Sequence, residues 1–353
     1  MPDLTFVTSW SLLTPWWLIG FGVVGLLFLL WAIRQKRRKR RGFVVLLILA
    51  IIFFVIAGVF GTNMVLKRYP TVYALVHNQP VQVDFGETPS DPSQGVTQTA
   101  EIAGTESGVG SFPANIWMPP QYYSDKNAKF PVIYLYHGLP GAYSNWIVAF
   151  GAGPTLLNAA KAGQPVIAVM PTVNPQPDVD SECVDGTAGN WQTYLNTDVT
   201  GWVSKNLGDR ILSGPQHAAV GGLSMGGYCA QAMALRNPSQ FSAFGNISGT
   251  TAPQFDGGLP ALFGPVPNLQ QTINSYTSTW IIANQPASNK VRSWLAVGSG
   301  DEASLKADQA QYAAQARARG MTVVSHPLTG DHNGSVWQEG LEAWFPVVYP
   351  LIK

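Results

Sequence analysis

Gly222-Leu223-Ser224-Met225-Gly226 follows the apolar, β-prone run Ala218-Ala219-Val220. A helix-like stretch from Tyr228 to Arg236 comes next and is ended by Asn237-Pro238. A serine with glycines two residues before and two after fits a sharp turn between a strand and a helix. The hydroxyl is pushed clear of the backbone there, and the flanks meet with no room for a Cβ. A serine hydroxyl is a poor nucleophile until a base takes its proton, and the base needs an acid to orient it. Two backbone N–H groups aimed at a developing negative oxygen complete a set that transfers acyl groups.

On a strand–turn–helix scaffold of this kind the acid and then the base follow the serine along the chain. The sequence has five histidines. His77 and His137 precede Ser224, and His217 enters the strand that leads to it. His326 lies inside Thr322–Leu328, which reads as a strand and makes it a packed strand residue. His332 follows in Thr329-Gly330-Asp331-His332-Asn333-Gly334, a loop of turn formers and the expected place for a base. The acid is expected to end an earlier strand. Trp294-Leu295-Ala296-Val297 is a short apolar run, and Asp301 falls in the turn after it. Glu302 is the rival, suited also to the first turn of a helix, and Asp331 reads as a solvated loop residue. Met225 is the first expected oxyanion donor. The second belongs in His137-Gly138-Leu139-Pro140-Gly141, after the strand Val132–Tyr136. Pro140 has no N–H, so Leu139 is the candidate. His137 is expected to shape this loop.

Around these residues the chain resembles the esterase D and mycolyltransferase (antigen-85-like) branch of the α/β-hydrolases. The resemblance is carried by His137-Gly138-Leu139-Pro140-Gly141-Ala142-Tyr143-Ser144-Asn145-Trp146 and by Trp191-Gln192-Thr193-Tyr194-Leu195 with Asp198 and Trp202. Gly222–Gly227 and Gly330-Asp331-His332-Asn333 complete it. It covers roughly the last two-thirds of the chain, and the order of the stretches is more specific than any one of them. It implies an esterase or acyltransferase working through an acyl-enzyme at Ser224, of the actinobacterial membrane-anchored type, with oxyanion donors at Leu139 and Met225.

The elements that must position these groups alternate. From Pro131 onward the pattern predicts strands at Val132–Tyr136, Val166–Met170, Ala218–Val220, Ser242–Ile247, Ser293–Val297 and Thr322–Leu328. Helices are predicted near Pro154–Ala162, Trp191–Asn206, Tyr228–Arg236, Glu302–Arg319 and Val336–Leu351. This is an α/β class, a mostly parallel sheet with helices on both faces. Residues 113–353 are assigned to the catalytic domain. Residues 69–112 form a connector and first antiparallel strands, including Gln98–Ala103 and Phe112–Met118. Two irregular stretches are expected to shape the substrate site: 174–189, and the lid-sized insertion 251–289. The aromatic and apolar side chains of that insertion either line an acyl groove or pack it onto the body.

Residues 1–68 read differently. Leu12–Ile33 and Phe43–Leu66 are nearly uninterrupted apolar runs, each long enough as a helix to cross a hydrocarbon core. Between them, Arg34–Arg41 is a basic loop, which the positive-inside rule assigns to the cytoplasm. The catalytic domain is then extracytoplasmic, on a multi-pass cell-membrane protein. Trp10, Trp16, Trp17 and Trp31 suit interfacial positions. The first run is not expected to be a cleavable signal, because its positive charges follow the apolar stretch.

From Tyr69 on, 12 Lys and Arg stand against 19 Asp and Glu. That acidic surplus argues against nucleic acid as a partner and against holding anionic headgroups by charge. Two cysteines, Cys183 and Cys229, suit an oxidising compartment, where a disulfide between them would staple a loop near Ser224. The alternative is a small buried Cys229 and an incidental Cys183. No Cys/His cluster has metal-ligand spacing, and no metal or cofactor is expected. The leading expectation is a serine esterase that hydrolyses or transfers acyl groups of envelope lipid esters. Aminoacyl-phosphatidylglycerol, mycolate or other long acyl esters, and acetylated envelope glycan are the candidates. A mycolyltransferase-like enzyme is the alternative. A non-catalytic envelope scaffold or a peptidase on the same fold are further readings.

Overall fold

A computed structural model of the protein describes residues 14–40, 42–66 and 83–353. The chain divides into two compact units, residues 1–78 and 79–353.

In the first unit Pro15 opens helix α1, Pro15–Arg37, in the first turn, where its missing N–H costs no hydrogen bond. Helix α2, Phe43–Leu66, packs against it. Gly25 is the point of close approach: a Cβ there would meet Phe53 and Phe54 at 3.2–3.3 Å. Aromatic rings fill the rest of the seam, with Trp17 on Phe60 at 5.7 Å, Phe21 on Phe60 at 5.4 Å and Phe28 on Phe53 at 5.5 Å. Both helices are long and apolar enough to cross a membrane. One boundary differs from the sequence reading. Arg34–Arg37 are not loop but the last turn of α1, because Arg, Lys and Gln are good helix formers and their charges suit a helix C-terminus. The chain turns only beyond Arg37, where Lys39 adopts a left-handed φ of 56°. Trp10, Leu12, Arg41, Lys67 and Arg68 lie outside the described residues.

In the second unit, nine strands among the described residues form one sheet. They are β1 Val83–Asp84, β2 Val96–Gly104, β3 Gly110–Met118, β4 Val132–Tyr136 and β5 Ile167–Pro171, followed by β6 Ala218–Leu223, β7 Ala243–Ile247, β8 Arg292–Gly298 and β9 Val323–Leu328. Their spatial order is β1-β2-β3-β5-β4-β6-β7-β8-β9. From β5 through β9 every pairing is parallel, whereas β2–β3 and β3–β5 are antiparallel. The strands β2 and β3 are thus the first, antiparallel strands of this same sheet.

Alternation along β4 shows how the sheet feeds two cores. Val132, Tyr134 and Tyr136 join a cluster with Tyr228, Met233, Leu235 and Tyr312. Ile133 and Leu135 join Trp146, Leu156, Trp344 and Phe345 on the other side. Helices α4 Thr200–Leu207, α5 Met225–Arg236 and α9 Ala303–Ala318 thus cover one face, and α3 Ala152–Lys161 with α10 Gly334–Ile352 the other. Gly221 and Gly245 pair across β6 and β7, and the indole of Trp344 lies over both. A Cβ would come within 2.5 Å of that ring at Gly221 and 2.7 Å at Gly245.

Two expected elements take another form. The helix expected over Trp191–Asn206 carries a π-helical turn at Tyr194–Val199 ahead of α4. The wider turn lets Tyr194 and Asp198 both face inward, where Asp198 accepts the N–H groups of Glu106 and Ser107 at 2.8 and 3.0 Å. The insertion 251–289 folds into short helices: α6 Leu259–Phe263, α7 Leu269–Tyr276 and α8 Ser278–Asn284. Leu262, Phe263 and Tyr276 form a small core with Val184, against which Phe255 and Leu259 pack. Those side chains fasten the insertion to the body.

Candidate active site

The parallel strands end in the loops that carry every candidate group. Ser224 stands between β6 and α5 with φ 53° and ψ −129°, a backbone that L-residues rarely adopt. The glycines around it explain how the turn closes. A Cβ on Gly222 would strike the carbonyl of Gly226, and one on Gly226 would strike the carbonyls of Tyr136 and His137. The N–H of Ser224 itself donates to Ile247 O at 2.8 Å, so the elbow is tied to β7.

The candidate base and acid follow the two strands beyond, Asp301 after β8 and His332 after β9. His332 Nε2 lies 2.8 Å from Ser224 Oγ, and His332 Nδ1 lies 2.8 Å from Asp301 Oδ1. The imidazole is 43% exposed and the Asp301 side chain 0% exposed. A carboxylate buried so completely needs donors. Besides His332, Ser248 Oγ donates to Asp301 Oδ2 at 2.6 Å and the Gly298 N–H donates to it at 2.7 Å. Acceptance at Oδ1 places a hydrogen on His332 Nδ1 and leaves Nε2 free to take the serine proton.

The rivals lie elsewhere. Glu302 is the exposed N-cap residue of α9, and Asp331 is exposed on the His332 loop. His326 is exposed on the edge strand β9 and not packed inside; its ring stacks on Trp294 at 5.7 Å. An edge strand has one neighbour and leaves a face in solvent, a placement that the apolar flanks of His326 concealed. His217 reaches Ile352 O through Nδ1 at 2.8 Å.

The loop after β4 presses on the elbow. A Cβ on Gly138 would lie 2.8 Å from Leu223 and 3.1 Å from Ser224 Cβ. His137 is buried and holds this loop from within: Nε2 accepts the N–H of Val173 at 3.2 Å, and Nδ1 donates to Gly138 O at 2.9 Å. Burial pushes its pKa down to about 4, so it stands as a neutral imidazole. Gly141 N donates to Pro177 O at 2.8 Å, joining this loop to the 174–189 stretch. Among the described residues, the N–H groups of Leu139 and Met225 are committed to no backbone acceptor.

Cys183 and Cys229 are joined by a disulfide with a Cα–Cα distance of 5.6 Å. It pins the left-handed turn at Glu182 and Cys183 (φ 45° and 49°) to α5, the helix that begins at the nucleophile elbow. Glu182 is buried beside it and accepts the Gln254 N–H at 3.1 Å. Burial, with Asp180 adding to it, raises its pKa well above the usual carboxylate range. Neither Ser248 nor Glu182 was marked by the sequence. For Ser248 a signal existed: a Ser-Gly pair directly after an apolar strand, at the sheet end where ligands gather. Among the described residues no group of three His, Cys, Asp or Glu side chains is gathered as a metal ion requires.

Residues 110–346 match the protein family described as "Putative esterase", which is more than half of the chain. The MPT51/MPB51 antigen of Mycobacterium tuberculosis is 30% identical over 206 residues, 54% of this chain and 65% of that protein. The diacylglycerol acyltransferase/mycolyltransferase Ag85C of Mycobacterium avium is 28% identical over 188 residues, 44% of this chain and 51% of that protein. The chain thus spans less than two thirds of these relatives' length. Among solved structures, a ferulic acid esterase superposes with a TM-score of 0.62 at 19% identity, covering 74% of this chain and 99% of that one. The family match makes this chain a member of the esterase family, a serine hydrolase or acyltransferase of the esterase D and antigen-85-like kind, and its fold is that of an α/β-hydrolase.

Proposed function

We propose that the protein is a membrane-anchored serine esterase whose catalytic unit works outside the cytoplasmic membrane on ester lipids of the cell envelope. The observation that carries the reading is the continuous relay from Ser224 through His332 to the buried Asp301, with 2.8 Å at each step. Ser224 Oγ attacks the ester carbonyl while His332 Nε2 takes its proton. The N–H groups of Leu139 and Met225 hold the oxyanion, and Asp301 steadies the imidazolium. His332 then gives the proton to the leaving alcohol, and the acyl group stays on Ser224. Water attacking that intermediate makes the protein a hydrolase; a bound alcohol makes it a transferase.

The two apolar helices support the anchor, and the seven basic residues between Arg34 and Arg41 support a cytoplasmic turn between them. An anchor concentrates the enzyme where lipid esters are, which favours aminoacyl-phosphatidylglycerol or long-chain acyl esters over soluble ones. Similarity to a mycolyltransferase supports transfer as the second reading.

The test is lipid mass spectrometry on the full-length protein, incubated with an envelope lipid extract and candidate sugar alcohols beside Ser224→Ala. Loss of one ester lipid with release of its acid or amino acid, in wild type alone, is the expected result. A new acylated alcohol establishes transfer instead. An unchanged lipid profile in wild type overturns the lipid-ester reading.

A further inference from the structure

We infer that Trp337 is a positioning residue for the acyl-transfer reaction: with Phe150 and Trp146 behind it, it fixes the plane of the His332 imidazole. The inference rests on the proposed serine-esterase reading and deepens it. The His332 ring meets the Trp337 ring edge to face, with centroids 5.4 Å apart and planes at 88°. Phe150 meets Trp337 in the same manner at 5.0 Å and 79°. Trp146, fully buried, meets Phe150 at 6.0 Å and 86°. The Trp337 indole N–H is buried with no hydrogen-bond partner among the described residues, so packing and not a hydrogen bond of its own holds the indole in place. Trp146 lies in the short helix Asn145–Val148, whose first residue accepts the Ala142 N–H at 2.6 Å. The aromatic chain therefore runs from the segment behind Leu139 to the base.

This wall matters most in the second half of the reaction. His332 is half exposed on a loop of turn formers, and in the free enzyme two hydrogen bonds orient its ring. Acylation removes one of them, because Ser224 Oγ no longer carries a hydrogen. Water or an alcohol must then attack the acyl carbonyl while His332 Nε2 takes its proton and passes it to Ser224 Oγ as the acyl–oxygen bond breaks. During that step Asp301 holds one edge of the imidazole, and the perpendicular indole of Trp337 is what stops the ring from swinging about that hold. Misplacement of a reacting group by about 1 Å costs on the order of 10²-fold in rate.

Full-length protein hydrolysing p-nitrophenyl acetate tests this, with intact-protein mass spectrometry to follow the acetyl-enzyme. In Trp337→Leu, kcat is expected to fall about 10- to 100-fold. KM is expected to fall with it, kcat/KM to change far less, and acetyl-enzyme to accumulate at steady state. Trp337→Phe, which keeps a ring against the imidazole, is expected to restore most of kcat. If Trp337→Leu does not fold, Phe150→Leu removes the support behind the indole and is read by the same criteria. An unchanged kcat, or equal falls in kcat and kcat/KM without acetyl-enzyme, overturns the inference while leaving the esterase reading intact. A wild type that does not turn over p-nitrophenyl acetate at all overturns both.

Discussion

Ser248 donates its hydroxyl hydrogen to Asp301 Oδ2 across 2.6 Å, while Oδ1 of the same carboxylate faces His332 Nδ1 at 2.8 Å. The Asp301 carboxylate is thus gripped from two sides, and the grip on Oδ2 leaves Oδ1 to meet the imidazole. Hydrogen bonds to charged groups contribute about 1.5–3 kcal/mol, so Ser248→Ala is expected to lower kcat for ester hydrolysis about 10- to 100-fold. Ser248 has φ 53°, where alanine is strained, so Ser248→Gly is the companion variant. Equal losses in both assign the effect to the lost hydrogen bond and not to the backbone.

His137 gives the fold a pH dependence whose sign follows from burial. Its pKa is lowered to about 4 in the folded chain, below the unfolded value near 6.5. Between these values the unfolded chain takes up a proton that the folded one refuses. The stabilisation is therefore complete above about pH 6.5 and is lost as pH falls toward 4, by a few kcal/mol in order of magnitude. Urea unfolding from pH 7 to 4 is expected to show this slope, and His137→Gln to flatten it. Glu182 acts in the opposite sense: its raised pKa removes stability as pH climbs above the unfolded carboxylate value near 4.5. Glu182→Gln is accordingly expected to raise the Tm relative to wild type more at pH 8 than at pH 4.5.

The disulfide between Cys183 and Cys229 closes a loop with a sequence separation of 46. By the chain-entropy relation a loop of that length restricts the unfolded chain by about 4 kcal/mol. A Cys183→Ser, Cys229→Ser double variant is expected to melt well below the oxidised wild type. A Tm unchanged to within a degree or two contradicts a stabilising role.

Trp344 packs directly over the paired Gly221 and Gly245, with no space for a Cβ at either. Gly221→Ala is expected to destabilise by about 1–3 kcal/mol through overpacking, although Gly221 touches none of the reacting groups. A loss of Tm with kcat retained below the melting transition is the expected pattern.

How much of this was legible in the sequence depends on whether the signal was local. The Ser224 elbow was, because its glycines and flanking strand and helix all lie within a few residues. The meeting of His332 and Asp301 with Ser224 was, because chain order and strand-end position narrowed a short set of candidates. The hydroxyl of Ser248 was not, since its contact crosses 53 positions and a Ser-Gly pair after a strand has many uses. The π-turn at Tyr194–Val199 was hidden for the same reason: it depends on Asp198 reaching the distant N–H groups of Glu106 and Ser107. Arg34–Arg37 read as loop by their charge alone, while their helix propensity carries α1 through them.

Substrate acylation is proposed to fall on Ser224, and covalent trapping of that residue is the decisive test. Full-length protein in membranes is treated with a fluorophosphonate, digested, and mapped by peptide mass spectrometry beside Ser224→Ala and His332→Gln. One phosphonylated residue, Ser224, is expected, with no labelling in Ser224→Ala and labelling slowed by at least about 10³-fold in His332→Gln. Modification of a different serine, or equal labelling of the Ser224→Ala protein, contradicts it.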